Sequence, residues 1–155
     1  MFDLYEEFKS IVSTLDEEGI EYAVCGGLAM AVWGAPRATV DIDMLILAEA
    51  QEAAARIARD LGFTIEALPM TVGGGMIEIR RYSKIDAETG IVLPLDFLLV
   101  APELVEIWDS RVKVSWETGT LWAVSRRGLI ALKSIKPRPQ DLADIERLKE
   151  ANDEG

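Results

Sequence analysis

CGGLAMAVWGAPRATVDIDMLIL, residues 25–47, sets two adjacent glycines, an arginine and two aspartates inside an otherwise apolar run. IEYAVCGG, which leads into it, reads as a short strand ending at Gly26 and Gly27. LAMAVWG then carries helix-forming residues up to Gly34, APRAT is a loop, and DIDMLIL, Asp41 to Leu47, is a continuous apolar strand apart from its acids. Residues i and i+2 of a strand share a face, so Asp41 and Asp43 project together while Ile42 enters the opposite layer. Two carboxylates this close repel each other in a partly buried site, and both become tolerable as anions when a divalent cation bridges them. Oxygen ligands without histidine suit Mg²⁺ or Mn²⁺ rather than zinc. A bare D-x-D also has a structural explanation: Asp41 ends the loop, caps a neighbouring backbone group and pairs with Arg37, while Asp43 sits at a solvated strand end.

The 155 residues, half of them apolar, suffice to bury a core without disulfides or a structural metal. A single domain over residues 1–155 is expected, its core at about 20–100 and a C-terminal helical part at about 125–150. Cys25, the one cysteine, lies in an apolar run and fits a small buried thiol in a reducing cytosol. The opening residues, MFDLYEEFKS, are acidic where a signal peptide is basic, and no apolar run is long enough to cross a bilayer; the expectation is a cytoplasmic protein with no membrane partner. The absence of histidine excludes His metal sites, Ser-His-Asp triads and Cys-His pairs, and leaves acid–base and metal chemistry to carboxylates. A net charge of -11 repels nucleic acid on average, yet Arg126, Arg127, Lys133, Lys136 and Arg138 gather as a local basic group near the C-terminus.

Away from the opening stretch, residues 3–18 place Tyr5, Phe8, Ile11, Val12 and Leu15 at helical spacing, with Asp3 and Glu6 in a capping-box arrangement and Gly19 as a stop. AEAQEAAARIARDLG is an alanine-rich helix closed by Gly62, FTIEAL a strand, Gly73 to Gly75 a turn before MIEIRRYS, and KIDAETGI an exposed connection. LPLDFLLV, residues 93–100, is a second buried strand. Pro102 starts a short acidic helix, and Arg111 to Ser115 with Gly119 to Val124 make a small hairpin or edge strands. Ser125 caps a helix through LIALKSIK that Pro137 ends, and Pro139 opens a last helix whose core face is Leu142, Ile145 and Leu148. The sum is an α+β domain with a mixed α/β sheet. Trp108, Trp116 and Trp122 are read as core rather than as a stacking platform for a ring substrate.

Asp96 supplies a third acid in the second strongly apolar strand. If that strand lies beside DIDMLIL, a spacing of about 4.8 Å between neighbours brings all three carboxylates to one metal-sized space. A lone buried charge is costly, so acids at related places in two core strands favour a shared site over a strand-end position at the surface. Gly26 and Gly27 let backbone approach a ligand and offer amides to phosphate, although a tight strand-to-helix turn explains them equally. Beside them, Arg37 and Thr39 fit a phosphate or carboxylate contact and a hydroxyl donor, with an internal Arg37–Asp41 brace as the alternative.

The order GG, helix, G-x-x-R-x-T-x-D-I-D and a later acid in an apolar strand resembles the nucleotidyltransferase superfamily of the DNA polymerase β type. More narrowly, CGGLAMAVWGAPRATVDIDMLI looks like the AbiEii-type toxins and related minimal nucleotidyltransferases, and LIALKSIKPRPQDLADIERL is similar to the helices that close that group; together they span roughly residues 20–148. The resemblance implies a small mixed sheet flanked by helices, with Asp41 and Asp43 binding Mg²⁺ (or Mn²⁺) and Asp96 as third catalytic acid. It implies also that Gly26 and Gly27 contact the NTP, and that Lys133 and Asp141 match a later motif holding phosphate or orienting the acceptor. Asp141 in a first helical turn and Lys133 as an ordinary base stand as the plain alternatives. The activity implied is transfer of an NMP from an NTP to an acceptor hydroxyl on RNA, protein or a small molecule, as a toxin of a toxin–antitoxin pair. The rivals are an antibiotic-type enzyme and a catalytically silent nucleotide-binding or antitoxin-like module. The chain is short for this superfamily, so a homodimer or a cognate antitoxin is an expected partner.

Overall fold

The computed structural model describes residues 2–117, 119–135 and 137–153; Lys136 of the C-terminal basic group lies outside them. α1 (Leu4–Glu17) begins where Asp3 accepts from the amides of Tyr5 and Glu6 at 3.1 and 3.2 Å. Glu6 leaves the capping box half built, because its carboxylate pairs with Lys9 at 3.1 Å, one turn on. Phe8, Ile11, Val12 and Leu15 are buried as their spacing demands.

β1 (Ala23–Cys25) passes directly into α2 (Gly26–Val32), and the loop beyond leads to β2 (Ile42–Leu47). α3 (Gln51–Asp60) follows, and then the chain departs from its sequence reading. FTIEAL shrinks to a two-residue edge strand, β3 (Ile65–Glu66), while Met70–Val72, unassigned in the sequence, forms β4. β5 (Ile77–Ile85) outlasts MIEIRRYS by taking in Lys84 and Ile85, and it makes a long antiparallel hairpin with β6 (Val92–Val100). α4 (Val105–Asp109), the hairpin β7 (Val112–Trp116) and β8 (Gly119–Ala123), α5 (Arg126–Lys133) and α6 (Pro139–Asp153) complete the order.

The strands form one mixed sheet in the order β3-β5-β6-β2-β1-β8-β7, with β4 paired to β5. β2 lies between β1, antiparallel, and β6, parallel. The pairing of β2 with β6 starts at Ile42↔Leu95, so β6 overhangs β2, and Pro94, which has no amide to give, falls in the overhang. α3 packs on β5 and β6 and against α1, α2 covers β1 and β2, and α4, α5 and α6 pack in series. Trp108 is buried, while Trp116 and Trp122 pack partly buried against the core. Among the described residues, no helix is long and apolar enough to cross a membrane.

α6 corrects one expectation. Ile145 and Leu148 face the core, but Leu142 is 54% exposed and Asp144 is 0% exposed. The helix is turned so that a carboxylate, rather than that leucine, enters the interior; the reason lies in what Asp144 holds.

Candidate active site

Three pairings build the site. β1 sets Cys25 opposite Asp43, β2 sets Asp43 beside Asp96, and β5 sets Arg81 opposite Asp96. The result is a row across four strands, Cys25–Asp43–Asp96–Arg81, on one face of the sheet. Asp41, two residues before Asp43, stands at its margin. Of the three acids foreseen in sequence, Asp43 and Asp96 are therefore neighbours, because β2 and β6 are parallel in this register, and Asp41 lines the same cleft.

The glycines fit this row by having no side chain. A Cβ on Gly26, whose φ is +66°, would lie 2.2 Å from Asp43 Oδ2, and one on Gly27 would lie 2.6 Å from Thr39 Oγ1. Asp43 thus packs its carboxylate on the Gly26 backbone, and Thr39 packs on Gly27. The Thr39 hydroxyl donates to the Asp41 carbonyl at 3.3 Å, which ties the loop to the start of β2.

Arg37 does not bond to Asp41, the brace considered from sequence. Its Nε donates to both oxygens of Asp144 at 3.0 and 3.1 Å. The Asp144 carboxylate also accepts from Lys133 Nζ at 2.8 Å and from Gln140 Nε2 at 2.8 Å. Burial works against its charge, but the Lys133 and Gln140 hydrogen bonds and the charges of Lys133 and Arg37 hold it below the ordinary carboxylate range. Asp141 lies one turn earlier and takes the backbone amide and Nε of Arg138 at 2.9 and 3.2 Å, with Lys133 Nζ 3.9 Å away. Arg147 donates to the carbonyl of Pro36, so α6 grips the loop at a second point.

Electrostatically the acid row is crowded. Burial, then Asp96 and Asp41, push Asp43 up to about 7, and burial with Asp96 also raises Asp41. Burial raises the Cys25 thiol well above its ordinary value, which makes it an inert neighbour. Asp96, 3% exposed, is met by Arg81 in a two-point ion pair, Nε to Oδ1 at 2.7 Å and Nη2 to Oδ2 at 2.9 Å. With both Asp96 oxygens so engaged, no three carboxylates among the described residues converge as they stand on one metal-sized point.

Asp41, Asp43, Asp96, Gly26, Gly27, Arg37, Thr39, Lys133 and Asp141, the residues singled out in sequence, all line one cleft of about 720 Å³. Val72, Ile77, Ile79 and Leu98 form an apolar wall beside the acids, and Leu129 and Leu132 of α5 line the cleft too. Trp108, Trp116 and Trp122 do not line it. Sequence reasoning missed Arg81 and Asp144. Asp144 carried a readable signal, one turn after Asp141 on the same helix face, whereas Arg81 is visible only through strand register.

No family model and no curated protein matches the chain. Among solved structures it is similar to TM1012 of Thermotoga maritima, a nucleotidyltransferase by assignment, with 16% identity, a TM-score of 0.62, and 98% of this chain and 94% of that one covered. It is similar also to the antibiotic-resistance factor ANT(2'')-Ia. Against the solution structure, identity is 12% and the TM-score 0.57, over 95% and 83% of the two chains. Against the crystal complex with adenylyl-2''-tobramycin, they are 14% and 0.59, over 94% and 87%. What the chain shares with them is the nucleotidyltransferase fold, a mixed sheet flanked by helices.

Proposed function

We propose that this protein is a metal-dependent nucleotidyltransferase that moves an NMP from an NTP to an acceptor hydroxyl. The observation that carries the reading is the register Asp43↔Asp96 on this fold, which sets these two acids side by side in a cleft that Asp41, Lys133, Arg138 and Arg37 also line. Carboxylates crowded enough to raise one of them to about 7 suit a hard divalent cation, and Asp41, Asp43 and Asp96 would hold Mg²⁺ or Mn²⁺. A bound ion supplies charge neutralisation at the triphosphate and a lowered pKa at the acceptor hydroxyl.

The chain's own groups do the rest. Gly26 and Gly27 line the cleft where the NTP would lie, and Lys133, locked by Asp144, presents a fixed ammonium to it. The acceptor oxygen bonds to the α-phosphorus as the bond to the bridging oxygen breaks, and pyrophosphate leaves with that electron pair. The acceptor proton passes to a carboxylate, and in a chain without histidine Asp96 is the group we assign to take it. The apolar wall beside Asp96 gives a base or an acceptor a dry surface.

An antibiotic-type polycationic acceptor is the weaker fit. Beyond the three acids, the carboxylate lining the cleft is Asp141, already bonded to Arg138. The likeness of residues 25–46 and 129–148 to AbiEii-type toxins extends the proposal to toxicity restrained by a cognate antitoxin. The test is pyrophosphate release with each NTP and Mg²⁺ over a panel of RNA, protein and small-molecule acceptors, beside induction of the gene in growing cells. Asp41→Asn with Asp43→Asn abolishes both turnover and growth arrest. Turnover that survives the pair sinks the mechanism, and NTP binding without release on any acceptor favours the silent module.

A further inference from the structure

Arg81 faces Asp96 directly across the β5–β6 ladder, where opposed Cβ atoms stand about 5 Å apart. At that range a long side chain has many rotamers and solvent within reach; its side chain remains 37% exposed and lines the cleft. It nevertheless spends one edge of its guanidinium, through two hydrogen bonds, on one nearly buried carboxylate. The charges of Asp41 and Asp43 bear on the same guanidinium. A cation thus sits on the acid row, with its fork closed over the two oxygens that a metal ligand or proton acceptor would need.

We propose that Arg81 is the resident counter-cation of the acid row, holding Asp96 in the unloaded site and leaving it when a divalent cation binds. The proposal rests on the metal-dependent reading above. A guanidinium and a divalent ion cannot both lie against the same carboxylate pair of lone pairs without repelling each other, so loading is an exchange of one positive charge for another. Two effects follow. The buried Asp96 is never left without a partner, and the affinity for metal is lowered by the fraction of molecules in which the Arg81–Asp96 pair is closed.

The experiment is titration of the full chain with Mn²⁺ alone, followed by calorimetry and by the paramagnetic resonance of free Mn²⁺, in wild type, Arg81→Gln and Arg81→Lys. The expected result is about tenfold tighter Mn²⁺ binding by Arg81→Gln, the change that corresponds to closure in about nine molecules of ten, and an intermediate gain for Arg81→Lys, which keeps the charge but loses the fork. In chelator, Arg81→Gln melts below wild type, and Mn²⁺ raises its melting temperature by more than it raises that of wild type. Unchanged or weaker Mn²⁺ binding in both variants overturns the proposal and makes Arg81 a brace that stays on Asp96, leaving the metal-dependent reading intact. Should Arg81→Gln not fold, Arg81→Lys against wild type decides by the same criterion. No Mn²⁺ binding by wild type, or binding that Asp41→Asn with Asp43→Asn does not remove, sinks the metal-dependent reading and this proposal with it.

Discussion

Replacing Asp144 by alanine isolates the group that organises the cationic side of the cleft. In wild type, its carboxylate is fully buried and is shared by Arg37, Lys133 and Gln140. Removing it strands two cations, one of them the buried Lys133. Breaking a buried ion pair from one side costs about 3–5 kcal/mol, whereas an exposed pair would cost less than about 1 kcal/mol. Against a total stability of about 5–15 kcal/mol, the expected loss is a large share, and it lowers the melting temperature by about 10 °C. The assay is urea unfolding at pH 7 followed by circular dichroism. Asparagine is no rescue, because its amide NH₂ must point at one of the donors that the carboxylate accepted from.

The same variant carries a pH signature. The folded protein holds Asp144 below the ordinary carboxylate range, so the native state binds its proton less readily than the unfolded chain. Its contribution is therefore complete above the unfolded value of about 4 and is lost as pH falls through the lower, folded value. The stability gap between wild type and Asp144→Ala narrows as pH falls below about 4. Adding Lys133→Met to Asp144→Ala removes one stranded charge and recovers part of the loss, giving a coupling energy between the two sites. A deficit under about 1 kcal/mol at pH 7, or one that is flat from pH 7 to pH 3, refutes the reasoning.

Other perturbations test the remaining geometry. Gly26→Ala sets a Cβ 2.2 Å from Asp43 Oδ2 at a φ of +66°, so it should cost about 1–3 kcal/mol in urea unfolding and reduce turnover more than Gly27→Ala, whose obstacle is a threonine side chain. The phase of α6 predicts that Leu148→Ala costs about 2–5 kcal/mol while Leu142→Ala stays within about 0.5 kcal/mol; equal losses in thermal melts would return α6 to the rotation read from its sequence. Arg138→Gln removes a cation at the cleft rim without touching the buried Asp144 network, and it should raise KM for the NTP with little change in melting temperature.

The local signals in the chain were strong where one element decided them. Asp3 before an amphipathic run, the Gly26–Gly27 break between strand and helix, and the apolar run after Asp43 each state their structure within a few residues. The three acids were legible for a similar reason: carboxylates embedded in core strands demand an explanation wherever the strands lie. What the sequence withheld depends on register and rotation. β4 is three residues long and owes its existence to the partner β5, so Met70–Val72 carries no pattern of its own. Arg81 stands in IEIRRYS, where two consecutive arginines are equivalent until the hairpin with β6 sends Arg81 to Asp96. Leu142 was read as core and Asp144 turns inward instead, because apolar periodicity ranks leucine above aspartate and is blind to two cations waiting on other elements.

The overhang of β6 is what turns two unrelated stretches of sequence into one site. In β6 the acid is the fifth of nine residues, a position that in an isolated strand would lie in mid-sheet, covered on both faces. β2 begins only at Ile42, opposite Leu95, so Asp96 stands one residue inside the end of the shared ladder, level with Asp43 and next to the break where β1 gives way to Gly26. Shifting this parallel register by a single residue would send Asp96 through the sheet to the opposite face and place Leu95 or Phe97 against Asp43. Apolar partners on the far face, among them Ile42, Met44, Leu95 and Phe97, are all fully buried and oppose that slip. The hydrophobic core therefore fixes the position of Asp96 relative to Asp43 with energy that the crowded acids themselves would spend to separate.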